Sequence, residues 1–134
     1  MKKFLSVLAI ALVIATVSSC KKAAGQGGNS KITGNVWAQK WNGSFTVISG
    51  EGPGKDVSVY IIYGDDTSYG DKITTSPDGT FEFQYLRPGK YKIYVYSKTP
   101  VTATNPNGKI EVSVDTEITR KKQTVDVGKI QVNI

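Results

Sequence analysis

The chain contains no histidine and a single cysteine, Cys20, among its 134 residues. Without an imidazole there is no histidine base, no Ser-His-Asp relay and no histidine metal ligand. A lone thiol closes no disulfide within the chain. Long hydrophobic runs are equally scarce, the one exception lying between Phe4 and Val17. From Lys31 onward no segment repeats its apolar residues at helical spacing. Charge of one sign is also modest: 17 basic residues face 11 acidic ones. Such a dispersed balance argues against nucleic acid as a partner, because its binders usually carry a basic patch or stripe.

What is present begins with an export signal. Lys2 and Lys3 precede the apolar run, which is too short for a membrane span, so residues 1–19 read as a signal peptide. The sequence Val17-Ser18-Ser19-Cys20 resembles the bacterial lipobox, with Val17 where leucine is usual and Ser19 where glycine or alanine is usual. That resemblance implies cleavage before Cys20, lipidation of its thiol, and a cell-envelope protein whose partner is a membrane. A leftover thiol after an ordinary signal peptide is the alternative, but an unpaired cysteine in an exported protein then lacks an explanation. Lipidation also leaves no cysteine nucleophile and no thiolate metal site. Cleavage removes Lys2 and Lys3, leaving 15 basic against 11 acidic residues, a net of +4. The following "KKAAGQGGNS" has no large apolar side chain, so residues 20–30 are expected to form a flexible tether spanning roughly 15–20 Å.

From Lys31 onward the pattern is strand-like. "KITGNVW" places Ile32, Gly34 and Val36 on one face, and "DVSVYIIY" does the same with Val57, Val59, Ile61 and Tyr63. Asn42-Gly43 reads as a two-residue hairpin turn. "KIEVSVDTEIT" and "QTVDVGKIQVNI" close the chain with two more alternating segments. About seven to nine short strands separated by turn signals specify an all-β, Ig-like antiparallel β-sandwich over residues 31–134.

The stretch "SPDGTFEFQYLRPGKYKIYVYS" reads as a hairpin turning at Arg87, Pro88 and Gly89. Parity puts Phe81, Phe83, Leu86, Tyr91, Ile93 and Val95 inward, with Glu82, Gln84, Lys92, Tyr94 and Tyr96 outward. Gly79, Phe81, Phe83, Leu86, Pro88, Gly89, Tyr91, Ile93 and Val95 fit the pattern G-x-F-x-F-x-x-L-x-P-G-x-Y-x-I-x-V. The chain here resembles carboxypeptidase regulatory-like and collagen-adhesin B-type domains, which implies a transthyretin-like (prealbumin-like) sandwich. Function varies widely across such modules, from stalks and adhesin repeats to sugar-binding modules.

In some adhesin relatives a lysine–asparagine isopeptide bond forms beside a buried acid; Lys31 and Asn133 are on the expected strands, but Gln84 stands where the acid belongs. A neutral amide cannot move the proton that amine attack requires. The transthyretin-related hydrolases use histidines, which this chain lacks. Asp65, Asp66 and Asp71 lie in one loop without the spacing or closing glutamate of a calcium loop, so a solvated turn is expected and no metal or other cofactor. Arg120, Lys121 and Lys122 read most simply as the charged tip of the last hairpin, with binding of anionic lipid or polysaccharide there as the lesser alternative. No nucleophile is placed beside a base, and a non-enzymatic role is expected. The remaining candidates are the outward aromatics Trp37, Tyr60, Tyr94 and Tyr96. They suit either an interface with envelope proteins or a polysaccharide, against the plainer reading that they only stabilise the sheet.

Overall fold

The computed structural model describes residues 23–134; the stretch 1–19 expected to be a signal peptide, and Cys20, lie outside them. Eight strands form a β-sandwich: β1 (Gln26–Trp41), β2 (Ile48–Pro53), β3 (Ser58–Tyr63), β4 (Asp71–Thr74), β5 (Thr80–Leu86), β6 (Gly89–Lys98), β7 (Lys109–Ile118) and β8 (Thr124–Asn133). One sheet is built on β1. Its first half pairs with β5 and its last residues with β2, while β8 runs parallel to it along the other edge. The second sheet has the order β4-β3-β6-β7, antiparallel throughout.

The two inner faces make the core. Ile32 and Val36 from β1, Val59 and Ile61 from β3, and Ile93 and Val95 from β6 are fully enclosed. Phe81 and Phe83 meet edge to face at 6.1 Å. Each such side chain contributes roughly 1.5–3 kcal/mol by leaving water. Gly34 sits beneath Phe81, whose ring would lie 2.4 Å from any Cβ added there. All six inward assignments for residues 81–95 agree with the observed burial, and Glu82, Gln84 and Tyr96 are exposed.

Three expectations are corrected. The stretch 76–97 is not a hairpin. Its arms belong to different sheets, β5 pairing with β1 and β6 with β3 and β7, so residues 87–88 carry the chain across the sandwich. Phe83 and Ile93 both point inward because the arms face each other across the core. Leu86 reaches the core three residues after Phe83 because Tyr85 adopts a left-handed φ of 60° and shifts the register by one. Asn42-Gly43 is not a two-residue turn either. The loop runs over residues 42–47, held by the Asn42 carboxamide, whose oxygen accepts from the amides of Thr46 and Val47.

The third correction concerns residues 23–30, expected in a free tether. From Gln26 they already belong to β1, and residues 23–25 form a strap across the β5–β6 turn. Arg87 donates from Nε to the Ala23 carbonyl (2.7 Å) and from its amide to the Gly25 carbonyl (2.8 Å). The Gly25 amide donates to the Tyr91 hydroxyl at 2.9 Å, and that hydroxyl donates to the Arg87 carbonyl. Gly89 has a positive φ of 150° and lies so close to Ala24 that an added Cβ would come within 2.6 Å of its methyl. The composition conceals this segment because backbone groups and tight contacts, not apolar side chains, hold it down.

Tyr91→Phe therefore leaves the Gly25 amide and the Arg87 carbonyl without their buried partner, at a cost of about 1–3 kcal/mol. Amide exchange at Gly25 should accelerate well beyond exchange in β6. An unchanged Gly25 exchange rate would show that the strap is held by something else.

Candidate functional site

The second sheet turns an aromatic surface outward. Cross-strand register sets Lys72 of β4, Tyr60 of β3, Tyr94 of β6 and Ser113 of β7 in one row across the sheet. Tyr96 stands two residues further along β6, opposite Glu111. Tyr60 and Tyr94 are direct neighbours, close enough for the rings to stack, 4.8 Å apart and only 6° from parallel. Tyr96 presents its ring nearly perpendicular to both, 5.7 Å from each. Tyr69, from the β3–β4 loop, meets the Tyr60 ring edge-on at 5.0 Å. The Lys72 ammonium lies 5.6 Å from the centre of the Tyr60 ring.

Exposure divides the four rings by role. Tyr69 and Tyr96 are about half exposed, whereas Tyr94 is only 7% exposed. Tyr94 does face outward, as parity requires, but neighbouring rings cover it. Burial, then Tyr96, Glu111 and Tyr60, push its phenol above the ordinary tyrosine value, so it stays a neutral hydroxyl at physiological pH. The surface is thus a supported platform: Tyr60 and Tyr94 hold it together, and Tyr69 and Tyr96 are free to touch a ligand.

Trp37 does not join this platform. It lies on β1 in the other sheet, with the Lys129 ammonium 4.6 Å from its ring centre. Tyr69, by contrast, escaped the sequence reading. Strand parity says nothing about a loop residue, and the only signal is a tyrosine beside Gly70 following a tyrosine-bearing strand.

The other candidates are placed as follows. Among the described residues no three carboxylates gather as a metal site. Asp71 is engaged by the Gln26 carboxamide and by the Lys72 amide. Lys31 of β1 aligns with Thr124 at the start of β8, whereas Asn133 at the end of β8 aligns with Gln39, so the two lie at opposite ends of the β1–β8 ladder, which rules out an isopeptide bond between them. Lys31 instead pairs with Glu82 at 3.4 Å. Asn133 accepts from the Trp41 indole at 2.9 Å. The run 120–122 is not a hairpin tip: β7 and β8 lie in different sheets, and this β7–β8 turn carries the chain between them, tied to β1 by Ser30 and Asn29.

No protein-family model matches this chain, and no curated protein matches it. Solved structures with a similar course include a protein of Pseudomonas aeruginosa provisionally described as carbohydrate binding. It is 14% identical, with 84% of this chain and 92% of that one covered, at a TM-score of 0.45. An (S)-allantoin synthase is 11% identical over 77% of this chain and 42% of its own, at a TM-score of 0.42. A 9R-lipoxygenase from Cyanothece is 17% identical over 93% of this chain and 20% of its own, at a TM-score of 0.36. This chain thus spans less than half of either enzyme, and at these scores none of the three bears on what it does.

Proposed function

We propose that this chain is a non-enzymatic, lipid-anchored cell-envelope protein whose transthyretin-like sandwich serves as a binding module. The carrying observation is the tyrosine platform on β3 and β6, with two half-exposed rings supported by two packed ones. Rings offer large contact area at small entropic cost, which is why binding surfaces use them. The lipobox resemblance around Cys20 supports the anchor, and the pattern from Gly79 to Val95 supports the kinship with regulatory-like domains.

Polysaccharide is the ligand class that best fits the platform. A pyranose stacks its C–H face on a ring and hydrogen-bonds through its hydroxyls, and Lys72, Ser113 and Glu111 border the rings with polar groups. Screening on a glycan array, followed by calorimetry, should find a polysaccharide whose affinity falls at least tenfold, about 1.4 kcal/mol, in Tyr96→Ala and in Tyr69→Ala. Trp37→Ala, on the other sheet, should bind normally. No binding across plant, host and microbial polysaccharides would remove carbohydrate as the ligand and leave a protein interface.

The anchor is tested separately. Metabolic labelling with a palmitate analogue should mark the protein, and Cys20→Ala should abolish the mark. An unlabelled protein released into the medium would overturn the anchor.

A further inference from the structure

The strap has a geometric consequence. Three residue steps separate Cys20 from Ala23, whose carbonyl is fixed by Arg87. A fully extended chain covers at most about 3.3–3.6 Å per residue, so Cys20 can lie no more than roughly 11 Å from Ala23. A free ten-residue tether would let the domain tumble above a bilayer. A docked strap cannot, because the leash is shorter than the domain.

Which end faces the lipid follows from topology. The strap crosses the β5–β6 turn, and Gly89 at the start of β6 aligns with Ile118 at the end of β7. The β7–β8 turn with Arg120, Lys121 and Lys122 therefore lies at the same pole, and the Lys122 amide bonds Asn29 at 3.0 Å. All three cations are exposed, as is Lys90; Asp65, Asp66 and Glu117 belong to the same pole on the side of the second sheet. An anionic leaflet attracts basic groups near its surface, which favours tilting the 120–122 side down. The β1–β2 and β6–β7 loops occupy the opposite pole.

We propose that the pole formed by the strap, the β5–β6 turn and the β7–β8 turn rests on an anionic lipid surface, with the strands standing upright. This orientation rests on the lipid-anchor reading. Tyr94 and Tyr96 follow Gly89 by five and seven residues along β6, which places them roughly 17 and 23 Å above that turn. The tyrosine platform then faces sideways, clear of the headgroups and open to a ligand lying along the membrane.

The test uses the chain from Cys20 onward, coupled through its only thiol to maleimide-lipid in nanodiscs containing phosphatidylglycerol and a nitroxide-headgroup lipid. Amides of residues 24, 89 and 120–122 should broaden strongly, and those of 43–47 and 101–107 should not. Inserting six Gly/Ser residues between Lys22 and Ala23 should weaken the contrast between the poles, and so should replacing Arg120, Lys121 and Lys122 by glutamate. Equal broadening at both poles, or strongest broadening at Tyr96, overturns the orientation. Because the anchor is attached chemically, this outcome is separate from the labelling result. Absent labelling in cells removes the membrane setting, whatever the nanodisc pattern.

Discussion

Phe83→Ala should destabilise the domain by about 3–5 kcal/mol, the usual range for deleting a buried aromatic ring. Phe83 is 2% exposed and lies on β5, facing the inward side chains of β6 across the sandwich. Its ring also contacts Phe81 edge to face, so truncation opens a void and removes an aromatic pair. A domain of this size has a total stability of about 5–15 kcal/mol, so the variant should sit near the edge of folding. Urea unfolding of the chain from Cys20 onward measures this directly. Tyr96→Ala, at a ring 47% exposed, is the matched control and should lose about 1 kcal/mol or less. Equal losses at the two positions would show that the assignment of inner and outer faces is wrong.

That contrast was legible in the sequence, because alternation along a strand fixes which side chains share a face. What alternation does not fix is the partner strand. The arms 80–86 and 89–98 have the same pattern whether they pair with each other or face each other across a core. The deciding fact is that β1 offers β5 a long partner starting at Gln26, and residues 26–30 carry no apolar signal. Parity likewise gives the side of a strand but not its sheet. That is why Trp37 and Tyr60 looked equivalent and prove to lie on opposite faces of the molecule. Tyr69 was invisible for a third reason: its position depends on a loop, where no period applies.

Tyr94→Ala should cost about 2–4 kcal/mol, close to a core truncation, although sequence parity alone predicts a mild surface effect. The reason is local. Tyr94 is outward yet 7% exposed, stacked on Tyr60 across the β3–β6 ladder and flanked by Tyr96. Removing the ring exposes two neighbours as well as deleting a stacked pair. A double-mutant cycle with Tyr60→Ala isolates the pair and should return a coupling of about 0.5–1.5 kcal/mol. Tyr94→Phe should retain nearly all the stability, because the ring and not the hydroxyl supports the platform. If Tyr94→Ala unfolds within about 0.5 kcal/mol of the parent, the platform has no packed base. Tyr69 and Tyr96 would then be isolated surface rings, whereas a supported pair fixes their edges before a ligand arrives and so spares the entropy of ordering them on binding.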